Sequence, residues 1–330
     1  MKIIVDDKIP YIREALDRMN ADVEYIRGAD IKPADVADAD ALIVRTRTRC
    51  DRHLLEGSRV EFVATATIGI DHLDTEWLDE AGIHWVNCPG CNASSVGQYV
   101  ETSLMRLGIT SGAVVGIVGC GHVGKEVEIV CERLALETVI NDPYIDDPSY
   151  VSLEEVVKHA DVITFHVPLT YKGEYPTYKM ADRRFFDMLS DRERPLECII
   201  NTCRGGVIDE QALLDAMDAG IVKRAVIDTW ENEPDINRRL LERADIATPH
   251  IAGYSADGKV KADNMVIDAL CKHFGLESPG INPPSLPPSY IYKGSALDLY
   301  DPLIDTRRLK SHPETFEELR GNYPLRREHI

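Results

Sequence analysis

The chain has 330 residues, 44% hydrophobic and 28% charged, with 56 acidic against 37 basic side chains and a net charge of −19. That length predicts two domains whose cores need neither a disulfide nor a metal. The acid surplus repels nucleic acid and anionic membrane surfaces, and no apolar run is long enough to span a bilayer.

Short β-branched runs alternate with helical patterns from the first residue to about 250. The opening run, Lys2-Ile3-Ile4-Val5-Asp6, has no signal-peptide core or cleavage site and reads as a first strand, so the expectation is a cytoplasmic protein. A first series of strands is predicted at 2–6, 22–27, 41–45, 61–67 and 84–88, with helices between them at 10–19 and 71–81. A helix over 92–107 joins this series to the next and is a candidate hinge. A second series follows at 113–119, 138–142, 161–167, 197–203, 224–230 and 245–249. Helices at 123–137, 153–159, 182–189 and 210–219 separate its members, the last one capped by Gly220. Strands that are apolar throughout are buried on both faces, and their alternation with helices predicts two doubly wound parallel sheets of the Rossmann or flavodoxin kind. A further helix over 258–275 crosses back towards the first series. Near 278 the composition turns proline-rich, through Pro279, Pro283, Pro284, Pro287 and Pro288, and a charged tail with recurring Tyr, Leu and Phe follows. It is too short to fold alone and is expected to order only against a neighbour. The eight cysteines are expected to be buried reduced thiols; no metal site is expected.

Gly119-Cys120-Gly121-His122-Val123-Gly124 fits G-x-G-x-x-G. It follows a predicted strand and opens a predicted helix, the context that gives the pattern meaning. Gly119 permits the tight turn, Gly121 lets the backbone approach a pyrophosphate, and Gly124 lets helix and strand pack closely. Asp142 ends the next strand, 21 residues after Gly121. A carboxylate there accepts from ribose hydroxyls and repels a 2′-phosphate, which predicts NAD rather than NADP.

Three polar residues close successive strands late in the second series. Arg204 precedes Gly205-Gly206, Glu233 lies in Glu231-Asn232-Glu233-Pro234, and His250 lies in Thr248-Pro249-His250-Ile251. Ligands of doubly wound sheets bind at such strand ends. The set suits oxidation of an alcohol beside a carboxylate: an arginine fork orients the carboxylate, and a histidine takes the hydroxyl proton. A carboxylate beside the imidazole holds its tautomer. Taken singly each has a bland explanation, a surface arginine or a structural histidine. Arg45, Arg47 and Arg49, interleaved with Thr46 and Thr48, gather cations and hydroxyls where a phosphate could be held. A solvated basic loop accounts for that cluster equally well.

Over residues 1–275 the chain resembles the D-isomer-specific 2-hydroxy-acid dehydrogenases. The segments that carry the resemblance are Thr67-Ile68-Gly69-Ile70-Asp71-His72-Leu73-Asp74, the glycine fingerprint, Asn201-Thr202-Cys203-Arg204-Gly205-Gly206-Val207-Ile208-Asp209, and the pairs Glu233-Pro234 and Pro249-His250. The resemblance implies Arg204 and Glu233 as catalytic residues and His250 as proton donor and acceptor. It implies NAD contacts at Asp142, Asp228 and Gly253, with His122, Val123, Thr202 and Cys203 added to the fingerprint glycines. It places substrate contacts at Thr46, Thr67 and Tyr254, to which the basic cluster adds Arg45 and Arg47. The tail, with Phe316-Glu317-Glu318-Leu319-Arg320, Asn322-Tyr323 and Arg326-Arg327-Glu328, is similar to the dimerisation segment of a branch that acts on a small phosphorylated 2-hydroxy acid. It therefore implies a homodimer. The implied domains are a first part of a substrate-binding domain (1–91), an NAD-binding Rossmann domain (92–254), a return helix completing the substrate domain (255–280) and the dimerisation segment (281–330). Gln98 and Val167 depart from the family pattern, which has an acid and a threonine there. Three alternatives remain open: a relative acting on 3-phosphoglycerate or glycerate, a non-catalytic NAD-sensing protein, and a thiol–disulfide oxidoreductase built on Cys88-Pro89-Gly90-Cys91.

Overall fold

The structure, a computed structural model, describes residues 1–287 and 291–328. Pro288 of the proline-rich stretch and Ile330 at the end of the tail lie outside the described residues. The chain divides into two compact units, one of Met1–Asn92 with Ser255–Pro287, the other of Ala93–Tyr254 with the tail.

The first unit holds a parallel five-stranded sheet. Its strands are β1 (Lys2–Asp6), β2 (Asp22–Ile26), β3 (Ala41–Val44), β4 (Phe62–Thr65) and β5 (His84–Val86), in the order β2-β1-β3-β4-β5. β3 and β4 are buried at every residue, because apolar side chains on both faces meet a layer of helices. On one face, Ile3, Val5, Ile43, Phe62 and Ala64 pack with Val266, Ile267 and Leu270 of the helix Ala256–Phe274. That helix starts on a Ser255 cap and ends on Gly275 in the left-handed conformation, φ +68°. The other face packs Ile4, Leu42, Val44 and Val63 with Val36, Leu54 and Leu78.

The second unit holds a parallel six-stranded sheet. Its strands are β6 (Val114–Val118), β7 (Glu137–Asn141), β8 (Val162–Phe165), β9 (Leu196–Asn201), β10 (Val222–Ile227) and β11 (Ile246–Ala247). They are ordered β11-β10-β9-β8-β6-β7. The chain turns one way from β6 to β7 and then returns to place β8 on the other side of β6. This reversal makes the carboxyl ends of β6 and β8 the natural ligand crevice.

The tail belongs to this second unit. Its helix Pro302–Ser311 opens on an Asp301 cap with proline in the first turn. Leu309 and Phe316 are buried in the same core as Leu240, Ala244 and Ala247. Thr306 Oγ1 takes the Ala247 N–H at 3.1 Å, and Lys310 Nζ donates to the Ala244 carbonyl at 2.6 Å. The edge strand β11 is thereby covered rather than left open. Arg106 of the joining helix Ala93–Arg106 grips Asp301 with Nε at 3.0 Å and Nη2 at 2.6 Å. No helix of the described residues is long and apolar enough to cross a membrane.

Candidate active site

The glycine turn sits at the crevice between β6 and β8. Gly119 has φ +89°, and a Cβ there would lie 2.7 Å from the His166 carbonyl oxygen. A Cβ on Gly124 would lie 2.2 Å from the Gly119 carbonyl oxygen. Both positions therefore exclude any side chain. A Cβ on Gly121 would meet nothing within 4 Å, so the space beside this residue is open. Gly121 is also the N-cap of the helix His122–Arg133 and brings no side chain to cap it. The helices beginning at 153, 183, 210 and 238 are all capped by Ser, Asp or Asn side chains. No N-cap side chain takes the first-turn N–H groups of this helix, which suits an anionic group. Asp142 follows β7 and leans over the same turn: Oδ2 accepts from Cys120 N at 2.8 Å and Oδ1 from Tyr144 N at 3.1 Å. Each oxygen keeps a second lone pair for a ribose hydroxyl. The turn, the uncapped helix and the acid fit a dinucleotide without a 2′-phosphate.

β9 delivers Asn201-Thr202-Cys203-Arg204. Asn201 Oδ1 accepts from Cys203 N at 3.1 Å, and its Nδ2 donates to the Arg204 carbonyl at 3.0 Å, which folds the loop back on the strand. Thr202 Oγ1 lies 3.4 Å from His166 Nδ1. Cys203 is buried, and burial pushes its thiol up to about 11. Gly205 allows the loop to lie against the next one, because a Cβ there would sit 1.8 Å from the Trp230 carbonyl oxygen. Arg204 itself is exposed and donates Nη1 to the Cys203 carbonyl at 2.7 Å. It makes no hydrogen bond or ion pair with Glu233 or His250.

Those two residues are brought together. His250 Nδ1 lies 2.9 Å from Glu233 Oε2 and 3.1 Å from Oε1. Glu233 Oε1 also accepts from Trp230 N at 2.9 Å. Burial works to raise the Glu233 carboxyl. The His250 N–H and its charge, the Trp230 N–H and the nearby Arg320 outweigh it and hold the carboxyl below its usual range. A carboxylate only accepts, so Nδ1 carries the hydrogen, and in the neutral imidazole Nε2 presents its lone pair. Nε2 has no partner among the described residues.

Asp228, at the end of β10, is buried and builds the loop that carries His250. Its carboxylate accepts from Thr248 Oγ1 at 2.6 Å, Ile251 N at 2.8 Å and Ala252 N at 3.0 Å. Burial raises its carboxyl against the His250 charge and these donors. The Asp228 carbonyl accepts from His250 N at 2.8 Å. Together these bonds hold His250 at φ +56°, a conformation that non-glycine residues seldom adopt and that re-aims the imidazole. Gly253 and Tyr254, both half-buried, end the loop.

Sequence reading missed two tail residues that meet this loop. Arg320 Nε donates to the Tyr254 hydroxyl at 3.0 Å. Arg326 is buried and donates to the carbonyls of Ile251 and Ala252, both at 3.2 Å. The signal was present at Gln98, where the family pattern has an acid: its Oε1 accepts from Arg326 Nε at 2.8 Å, and its Nε2 donates to the Arg327 carbonyl at 3.0 Å.

The remaining candidates lie in the first unit. Arg45 closes β3 and donates Nη1 to the Lys8 carbonyl at 2.8 Å. Thr46 and Arg47 are exposed. Neither Arg45 nor Arg47 forms an ion pair among the described residues, whereas Arg49 pairs with Asp51 at 3.1 Å. Thr48 is buried and structural, its hydroxyl on the Gly28 carbonyl at 2.8 Å. Thr67 Oγ1 lies 2.7 Å from Thr65 Oγ1, which lies 2.9 Å from His72 Nε2. Cys88 and Cys91 are buried, as are the other six cysteines, and all eight are unpaired. Burial pushes the Cys91 thiol up to about 11 and the Cys88 thiol higher still, which removes the thiolate that redox exchange needs.

Residues 93–252 match the family model of the D-isomer specific 2-hydroxyacid dehydrogenase, NAD binding domain. The chain is 50% identical to an erythronate-4-phosphate dehydrogenase of Bacteroides fragilis, over 99% of this chain and 97% of that one. It is 41% identical to an erythronate-4-phosphate dehydrogenase of Porphyromonas gingivalis, over 99% and 94%. The chain belongs to the erythronate-4-phosphate dehydrogenase family. Among solved structures it is similar to the NAD+-bound 3-phosphoglycerate dehydrogenase of Entamoeba histolytica, with a TM-score of 0.66 and 26% identity over 83% of this chain and 95% of that one. Like the erythronate-4-phosphate dehydrogenases, this chain is an NAD-dependent dehydrogenase.

Proposed function

We propose that the chain oxidises 4-phospho-D-erythronate to 2-oxo-3-hydroxy-4-phosphobutanoate, as a step in making pyridoxal 5′-phosphate. The observation that carries the reading is the His250–Glu233 pair, with Nδ1 held by a carboxylate and Nε2 unpartnered. NAD supplies the hydride acceptor when bound at Gly119, Gly121, Gly124 and Asp142, with His122, Val123, Thr202, Cys203, Asp228 and Gly253 as further contacts. His250 Nε2 takes the proton of the C2 hydroxyl as the C2 hydrogen leaves as hydride. Glu233 keeps the imidazole in the productive tautomer and stabilises the imidazolium that forms. Arg204 binds the substrate carboxylate through its guanidinium fork. Arg45 and Arg47, cations that form no ion pair among the described residues, take the phosphate with Thr46, Thr67 and Tyr254. Residues 1–91 and 255–280 serve as the substrate-binding domain and 92–254 as the NAD-binding domain. The protein works in the cytoplasm, in keeping with eight unpaired buried cysteines, and as a homodimer through its tail.

The test is to follow NADH with NAD, 4-phospho-D-erythronate and a carbonyl trap that draws the reaction forward. Turnover is expected, with a strong preference over erythronate lacking the phosphate, and a loss of about 10²-fold or more in His250→Ala. Turnover on 3-phosphoglycerate or glycerate alone would move the substrate assignment, and NAD binding without any turnover would overturn the catalytic reading.

A further inference from the structure

The Glu233 carboxylate has a second neighbour besides His250. Arg320 Nη1 lies 3.9 Å from Glu233 Oε2, the oxygen closest to the imidazole. The same guanidinium donates Nε to the Tyr254 hydroxyl, and its carbon lies 5.8 Å from the centre of the Tyr254 ring. Arg320 is carried by the helix Phe316–Gly321 of the tail.

The tail is nailed in place by other residues. Phe316 is buried in the core. The Arg326 guanidinium donates from all three nitrogens, to Ser95 O at 2.7 Å, to Gln98 Oε1 and to the Ile251 and Ala252 carbonyls, with its carbon 3.8 Å from the centre of the Tyr300 ring. Tyr323 packs edge-on against Tyr254 and donates its hydroxyl to Asp305 at 2.7 Å. Docking of the tail therefore does not depend on Arg320. Arg320 remains about one-third exposed, hydrogen-bonds Tyr254 and faces the carboxylates of Glu233 and, on its own helix, Glu317.

We propose that Arg320 is a positioning residue for the reaction, acting through Glu233 and Tyr254, and that the tail is thereby part of the active site as well as of the fold. The proposal rests on the reading of Glu233 and His250 as the proton-handling pair. A cation beside the carboxylate keeps it ionised and in register with Nδ1. It also fixes the Tyr254 oxygen as an acceptor from Nε, which turns the phenol hydrogen away from the guanidinium. The charged and titratable groups around this centre are Glu233, His250 and Tyr254, Glu317 on the same helix, Asp228 beyond the imidazole, and Tyr323 with Asp305 behind Tyr254. Removing the cation favours the imidazolium, so a higher pH is needed to free the base.

The experiment compares the full chain with Arg320→Met, Arg320→Lys and His250→Ala. It measures kcat and KM for the phosphorylated substrate from pH 6 to 10, NAD affinity and Tm. Arg320→Met is expected to lose about 10-fold in kcat. The rising limb of its pH profile should move up by about half a unit, with NAD affinity and Tm kept. Arg320→Lys is expected to restore the limb, because it restores the charge, but to keep a raised KM, because it loses the Nε bond to Tyr254. An Arg320→Met enzyme with the native kcat and pH profile overturns the proposal. So does one that loses Tm, NAD affinity and activity together without rescue by lysine, which would make the residue structural. A His250→Ala enzyme as active as the native one overturns the reading of the pair itself, and the proposal with it.

Discussion

Glu233 and Asp263 show how two buried carboxyls are driven in opposite directions by what surrounds them. At Glu233 burial is outweighed by donors and cations, and the carboxyl titrates below its usual range. Asp263, on the helix Ala256–Phe274, is almost wholly buried, and burial pushes its carboxyl up to about 7 against the Tyr11 N–H at 3.2 Å and the charges of Arg45 and Lys259. The unfolded chain releases this proton near pH 4. Between about pH 4 and pH 7 the folded state therefore binds more protons than the unfolded one, and this group makes stability fall as pH rises. Asp263→Asn removes the titration while its amide oxygen can still accept from Tyr11. It is expected to be more stable than the native chain above pH 7, on the order of 1–3 kcal/mol, with the gain fading towards pH 4. Urea melts at pH 4.5 and pH 8 measure it. An equal difference at both values, or a loss at pH 8, would show that Asp263 is ionised and paired in the folded state.

At the scale of elements, the strands were legible because a parallel sheet covered on both faces writes itself as short apolar runs. Lys2–Asp6 stands where the sequence places it, and the other strands begin or end within a few residues of their expected bounds. The glycine turn was legible because its constraint is steric and local. The short helices Pro33–Val36, Arg52–Leu55 and Arg238–Arg243 were not, since one or two turns are too few for an amphipathic period to show. The recurring Tyr, Leu and Phe of the tail pointed to packing, but where it packs was not legible, because that follows from contacts at sequence separations of more than fifty residues. Its helix Pro302–Ser311 did carry a start signal in Asp301-Pro302. The meeting of Glu233 with His250 could be anticipated from strand ends, but the left-handed turn at His250 and the Asp228 scaffold beneath it could not. If the tail is a structural layer of the second unit, then Leu309, with no exposed surface, packs as a core residue. Leu309→Ala is expected to cost about 2–4 kcal/mol, read from urea unfolding. A cost below about 0.5 kcal/mol, within the range of an ordinary surface change, would mean that the tail only rests on the sheet.

For the whole molecule, the outstanding feature is the conflict between charge and exposed apolar surface. Each chain carries −19, which opposes the approach of a second copy. Yet the tail exposes Ile291, Tyr292, Ile304 and Leu325, the first of them by 71%, on a segment that otherwise buries its apolar residues well. Exposed apolar side chains on one segment are candidates for a covered surface, and the proposed homodimer is the reading that would cover them. The two opposing effects differ in their response to salt. Repulsion between the chains is screened within about 10 Å at 0.1 M salt, while apolar burial is not. Sedimentation equilibrium is therefore expected to give the mass of two 36.9 kDa chains at micromolar concentration. The dimer should dissociate more readily at 10 mM than at 300 mM NaCl. Ile304→Glu combined with Leu325→Glu adds charge to the covered surface and is expected to give monomers at either salt. A native protein that sediments as one chain at 300 mM NaCl would show that the tail serves only its own subunit. A double variant that stays dimeric would place the interface on another face.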